Sequence, residues 1–168
     1  MTYMMSRRSV IVLATALGTA FSAPSTALAR CRPRRVLFVC QFGTVKSPIA
    51  RELFRRRAAE RGIVVEALAR GITPEEHMSG ELRRALQKDG IDVRAEPLQR
   101  LARVDARQAD ILVFFDKLPP GLRAGDPRDW IDLPSMNSEY GAAKVDLMRR
   151  IDRLLDEIST SAARRKGC

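Results

Sequence analysis

One cysteine between a strand and a helix constrains this chain more than any other feature. Val36-Leu37-Phe38-Val39 is an apolar run, Cys40 to Lys46 is a short loop, and Ser47-Pro48-Ile49 opens a helix-forming stretch. A strand that turns through so short a loop into a helix aims consecutive backbone N–H groups at one small volume. The positive end of the helix dipole points there too, so an oxyanion fits. Cys40 puts a sulfur beside that volume, where it is placed to be a nucleophile. A buried structural cysteine is the alternative. Ser47 suits the N-cap and Pro48 the first helical position.

The rest of the chain alternates strands with helices. Ile49 to Arg61 reads as a helix with Ile49, Leu53 and Phe54 on one face and Arg51, Glu52, Arg55 and Arg56 off it, ended by Gly62. Ile63 to Leu68 reads as the second strand. Thr73-Pro74-Glu75-Glu76 has a capping-box pattern, and Glu81 to Lys88 predicts a helix closed by Gly90. Asp110 to Asp116 is an apolar run between two acids, as expected of a strand buried on both faces of a parallel sheet. A Pro/Gly-rich stretch from Leu118 to Pro134 leads to a long last helix, with Val145, Met148, Ile151, Leu154, Leu155 and Ile158 at spacings of three and four. This pattern predicts an α/β fold around a parallel sheet.

Residues 1–29 read as an export signal, not as part of the fold. Arg7 and Arg8 precede an apolar stretch from Val10 to Phe21, and Ala27-Leu28-Ala29 supplies a signal-peptidase site. Ser6-Arg7-Arg8-Ser9-Val10-Ile11 resembles a twin-arginine motif, so the expected destination is the periplasm and the expected first partner is export machinery. An ordinary secretory leader, an uncleaved tail of a cytoplasmic protein and a misassigned start codon remain the alternatives. Residues 30–168 form the single expected domain.

The chain carries a net charge of +10 with only 5% aromatic residues. Its basic residues are spread over Arg51, Arg55 to Arg57, Arg83-Arg84, Arg149-Arg150 and Arg164 to Lys166. Spread charge with few stacking rings argues against a nucleic-acid partner and for attraction of anions. A strand at ~3.3 Å per residue puts Cys31 on the order of 30 Å from Cys40, beyond the reach of a disulfide. Cys31 and Cys168 could pair as the chain ends, which leaves Cys40 free. A lone histidine, His77, supports no zinc site, and no metal or other cofactor is expected. His77 follows two glutamates in a loop and reads as a local hydrogen-bonding residue ahead of a base.

Taken together, these segments resemble the low-molecular-weight protein tyrosine phosphatase family, whose arsenate reductase relatives share the fold. The likeness runs from Val36-Leu37-Phe38-Val39-Cys40 through Ser47-Pro48-Ile49-Ala50, Ala69-Arg70-Gly71-Ile72 and Leu86 to Asp92, to Ala109-Asp110. It implies a three-layer sandwich around a mostly parallel four-stranded sheet. It also implies a phosphatase acting on phosphotyrosine-class or other aryl phosphates through a phosphocysteine on Cys40. Ser47 would help hold the thiolate, and Gln41, Phe42, Gly43, Thr44, Val45 and Lys46 would form the oxyanion cradle. The partners implied are a small phosphorylated molecule or phosphoprotein and an inorganic oxyanion.

Several positions depart from the family pattern. Lys46 stands where the family has Arg, giving a charge without a planar fork. The family's acidic Asp-Pro pair falls on Ser135-Met136, so Asp132, or else Asp126 of the chain's lone Asp-Pro pair, becomes the candidate acid. Phe42 replaces a glycine and adds bulk at the mouth, while Gly43 replaces an asparagine and keeps the capacity for positive φ. Val45 replaces a second cysteine, and no downstream cysteine pair follows, which disfavours intramolecular arsenate reduction. Trp130 and Tyr140 could wall a pocket for an aryl group, or pack in the core. The rival function is an anion-binding protein of this family with weak turnover or none.

Overall fold

A computed structural model describes residues 32–122 and 125–164. The leader, Cys31 and Cys168 lie outside the described residues, so the structure does not bear on export or on a pairing of the two terminal cysteines. The elements are β1 (Arg34–Cys40), α1 (Lys46–Glu60), β2 (Val65–Gly71), α2 (Gly80–Lys88), α3 (Arg103–Gln108), β3 (Ile111–Phe114), β4 (Pro127–Asp129) and α4 (Tyr140–Arg164). The sheet order is β2-β1-β3-β4, and every pairing is parallel. The fold is therefore α/β with an all-parallel four-stranded sheet.

β1 lies inside this sheet and is buried on both faces, which its unbroken apolar run requires. Val36, Phe38 and Cys40 face the larger core, built with Ile49, Leu53 and Phe54 of α1, Leu82 and Leu86 of α2, and Leu147, Ile151 and Leu155 of α4. Leu37 and Val39 face a smaller core with Ala109, Leu112 and Leu101. This alternation is the two-residue period of a strand. Phe38 anchors the larger core, with its ring centroid 5.5 Å from Phe54, 6.4 Å from Phe115 and 6.2 Å from Trp130.

Several local expectations shift. β2 begins at Val65 and runs on to Gly71, because its partners on β1 extend from Arg34 to Cys40. Thr73 to Glu76 do not start a helix; Ser79 caps α2 instead, its Oγ accepting from the Leu82 amide at 3.1 Å. Arg51, read as lying off the apolar face, is buried and held by Glu52 at 2.7 Å and Glu96 at 2.8 Å. Pairing allows that burial, since an unpaired guanidinium there would be costly. Val145 is 63% exposed, and the apolar face of α4 begins with Ala143 and Leu147. α3 and the short β4 went unread, being six and three residues long. Among the described residues, no helix is long and apolar enough to cross a membrane.

Candidate active site

The chain leaves β1 for α1 and β2 on one side, then returns to the other side of β1 for β3. A ligand crevice belongs at such a reversal, outside the carboxyl ends of the strands. Cys40 is the last residue of β1, and a cavity of about 250 Å³ opens there. Cys40, Gln41, Phe42, Val45 and Lys46 line it from the loop, facing His77, Asp116, Ser135, Met136 and Asn137.

The loop coils tightly around the sulfur. Cys40 is a free cysteine, 4% exposed. Its Sγ accepts from the Gly43 amide at 3.3 Å and the Ser47 amide at 3.5 Å, and lies 3.1 Å from Ser47 Oγ. Ser47 is therefore not the N-cap. α1 starts one residue earlier, at Lys46, with Val45 in the cap position and no side-chain cap. The serine hydroxyl is turned inward, between the sulfur and the Arg70 carbonyl at 3.2 Å. Pro48 sits in the first turn, where a missing N–H leaves no helix bond unmade.

Gly43 has the positive φ expected of it, +72°. A Cβ there would also meet Gly71 N and Cα at 2.8 Å and the Leu98 side chain at 2.7 Å, so the position needs glycine twice over.

Of the expected cradle amides, that of Gln41 already donates to Asp116 Oδ2 at 2.8 Å, and that of Gly43 to the sulfur. Among the described residues, the amides of Phe42, Thr44, Val45 and Lys46 have no protein acceptor. Those of Val45 and Lys46 stand at the N-terminus of a 15-residue helix, a ready anion site, and Phe42, Val45 and Lys46 line the cavity. Lys46 lines the same cavity, its Nζ donating to the Leu133 carbonyl at 2.9 Å.

Three loops are knitted together over this cradle. Backbone amides of Ile72, Thr73 and Glu75 donate to the carbonyls of Cys40, Gln41 and Phe42 at 3.0, 2.8 and 3.1 Å. Thr44 Oγ1 donates to the Glu75 carbonyl at 2.9 Å and accepts from the His77 amide at 3.3 Å. Asn137 joins the third loop, its Nδ2 donating to the His77 carbonyl and its Oδ1 accepting from the Ser79 amide, both at 2.9 Å. The His77 ring packs against Phe42 at a centroid distance of 4.5 Å.

Neither candidate acid lines the cavity. Asp126 lies beside Leu112 at the amino ends of the parallel strands and pairs with Arg128 at 2.8 Å. It is level with residues about four short of Cys40 on β1, which at ~3.3 Å per residue is more than about 13 Å along the sheet. Asp132 is 75% exposed and forms two parallel bonds of 2.8 Å with Arg150. Arg150 holds its carboxyl below the ordinary carboxylate range, the opposite of what a proton donor needs. Ser135 and Met136 do line the cavity, where the family's acidic pair was expected to fall.

Trp130 belongs to the aromatic core, and the Tyr140 hydroxyl donates to Asp89, so neither walls the cavity. Among the described residues, Asp116 is the one carboxylate lining it, and sequence reasoning passed over it as a strand boundary. A signal existed: in a parallel sheet, the acid just after the strand beside β1 must emerge at the same edge as Cys40. Among the described residues, no group of three His, Cys, Asp or Glu could hold a metal ion.

A family model described as low molecular weight phosphotyrosine protein phosphatase matches residues 35–119. No curated protein matches the chain by sequence. Among solved structures, YfkJ from Bacillus subtilis is 19% identical with a TM-score of 0.64, the match covering 79% of this chain and 98% of that one. A low molecular weight protein tyrosine phosphatase from T. tengcongensis is 23% identical with a TM-score of 0.60, covering 74% and 99%. The tyrosine phosphatase Wzb from Escherichia coli K30, in complex with sulphate, is 20% identical with a TM-score of 0.56, covering 76% and 99%. Arsenate reductases share the fold as well. At these identities the structural likeness speaks to the fold.

Proposed function

Because the chain belongs to the low molecular weight phosphotyrosine protein phosphatase family, we propose that it hydrolyses phosphomonoesters of the aryl phosphate class through a phosphocysteine on Cys40. The observation that carries this reading is the Cys40 sulfur in a cavity also lined by Phe42, Val45 and Lys46, whose amides have no protein acceptor among the described residues, where the loop runs into α1. The Cys40 thiolate attacks phosphorus and the ester P–O bond breaks. Water then attacks the phosphocysteine and returns the electron pair to sulfur. The amides of Phe42, Thr44, Val45 and Lys46 hold the phosphoryl oxygens through both steps. Ser47 Oγ, fixed between sulfur and the Arg70 carbonyl, keeps the nucleophile aimed.

Lys46 supplies a charge where the family has a guanidinium. Losing one charge-assisted bond of roughly 1.5–3 kcal/mol slows the reaction by about one to two powers of ten. Turnover survives a loss of that size.

The rival reading, an anion-binding protein with little turnover, is favoured by Ser135-Met136 in place of an acid and by the Lys46 ammonium resting on Leu133. Intramolecular arsenate reduction finds less support, because the cradle holds no second cysteine. Phosphate binding and p-nitrophenyl phosphate hydrolysis by wild type, Cys40→Ser and Lys46→Arg decide between phosphatase and binder. Wild type well above Cys40→Ser supports the enzyme, and a further rise in Lys46→Arg shows a site lacking only the fork. Equal rates with phosphate binding retained leave the binder. We also infer that residues 1–29 direct export to the periplasm, on the strength of the twin-arginine-like leader.

A further inference from the structure

Resting on the phosphatase reading above, we propose that His77 donates the proton to the departing ester oxygen. In an in-line displacement the leaving oxygen lies opposite the attacking sulfur. Here that direction runs from the Cys40 floor toward the mouth, where the loop between β2 and α2 brings the His77 ring to the cavity. The imidazole is carried there deliberately by its backbone. Its amide donates to Thr44 Oγ1 at 3.3 Å and its carbonyl accepts from Asn137 at 2.9 Å, so the residue is pinned from the cradle on one side and from the third loop on the other.

One ring face packs on Phe42 at 4.5 Å. Among the described residues, neither ring nitrogen has a protein partner, so the polar edge is free for a ligand.

The other proton-bearing groups around the cavity are engaged elsewhere. Asp116 accepts from the Gln41 amide through Oδ2, beside the residue that carries the sulfur. Lys46 is tied to the Leu133 carbonyl. Ser135 and Met136 have no acidic proton. Histidine ordinarily changes charge between pH 5 and 8, which suits a group that must both give and regain a proton.

The step balances. Sulfur forms its bond to phosphorus, the P–O electron pair leaves with the ester oxygen, and the imidazolium N–H proton neutralises that oxygen. In the second step the neutral imidazole takes a proton from the attacking water as the P–S bond breaks, restoring thiolate and imidazolium. The charged groups facing His77 are Cys40, Lys46 and Asp116 across the cavity, with Glu75 and Glu76 on its own loop. Arg83 and Arg94 lie at 3.6 and 3.4 Å from Glu76 and share its charge.

The test compares kcat/KM of the full chain, as wild type, His77→Gln, His77→Asn, Asp116→Asn and Cys40→Ser, on phenyl phosphate and p-nitrophenyl phosphate across pH. Phenol is the poorer leaving group and depends more on a donor. The expected result is a loss of about 10²-fold or more on phenyl phosphate in both His77 variants, with a clearly smaller loss on p-nitrophenyl phosphate. The fall in rate on the alkaline side should vanish with His77 and persist in Asp116→Asn, while inhibition by inorganic phosphate stays near wild type in the His77 variants. Equal losses on both substrates, an unchanged alkaline limb, or a limb that vanishes in Asp116→Asn instead each overturn the assignment while leaving the phosphatase intact. A wild-type rate no greater than that of Cys40→Ser overturns the phosphatase reading itself, and the donor with it.

Discussion

Replacing Gly43 by alanine tests the cradle most directly, because two separable costs meet at that residue. Its φ of +72° puts any L side chain in the left-handed region, at about 1–2 kcal/mol. The added methyl also lands 2.7–2.8 Å from Leu98 and the Gly71 backbone, closer than carbon atoms pack. Leu98 can turn away, but Gly71 belongs to β2 and its amide and carbonyl are bonded to Gln99 and Leu101. Relieving that overlap adds roughly 1–3 kcal/mol, so Gly43→Ala should destabilise by about 2–5 kcal/mol.

Gly62 is the internal control. Its φ is +64°, yet a Cβ there meets nothing within 4 Å, leaving only the backbone cost. That cost is partly offset by the lower unfolded-state entropy of alanine, worth about 0.4–1 kcal/mol. Urea unfolding of both variants, alongside phosphate binding, measures the difference. Gly43→Ala should unfold at clearly lower urea and bind phosphate more weakly, because the loop must shift away from Gly71. Equal midpoints for the two variants would refute the close backbone approach on which this account of the cradle depends.

Removing the Ser47 hydroxyl takes away one bond to the sulfur, so Ser47→Ala should lower p-nitrophenyl phosphate kcat/KM by roughly tenfold; a wild-type rate would remove that residue from the mechanism. Asp89 accepts from Lys144 at 2.8 Å and from the Tyr140 hydroxyl at 2.5 Å, and these contacts hold its carboxyl below the ordinary value of 3.8. A depressed carboxyl stabilises the fold above its unfolded pKa and loses that contribution as pH falls through the folded one. Asp89→Asn should therefore be less stable near neutrality, with the gap closing in acid; denaturant unfolding at several pH values would expose the reverse trend. Finally, the mature chain should begin at Arg30 in the periplasmic fraction of a bacterial host, and a full-length cytoplasmic product starting at Met1 would end the export reading.

The legible parts of this molecule were those written in local pattern. The run Val36 to Val39 announces a doubly buried strand, and the strand-loop-helix junction places Cys40 and its cradle, because both follow from short-range geometry. Gly43 could be read as a positive-φ residue from its place in the loop.

The harder parts depend on pairing across the fold. Arg51 looks like a surface residue until Glu96, 45 positions away, arrives to neutralise it. Ser47 has the sequence position of a cap, and only the curl of the loop around the sulfur reveals that its hydroxyl points inward. Asp126 carries the Asp-Pro signature of an acid, yet strand register sends it to the far end of the sheet. Asp116 has no signature and arrives at the cavity because β3 lies beside β1. His77 resembles any loop histidine until Thr44 and Asn137 fix its backbone.

Cys40 shares a face of β1 with Val36 and Phe38 and completes the same apolar cluster. The sulfur that lines the cavity is thus the top layer of the hydrophobic interior. A one-residue slip of β1 against its neighbours would turn Cys40 toward the opposite layer and, in the same movement, pull Phe38 out from among Phe54, Phe115 and Trp130. Misplacing the thiol and unpacking the protein are therefore one event, so a chain that folds at all delivers its sulfur to the cavity side.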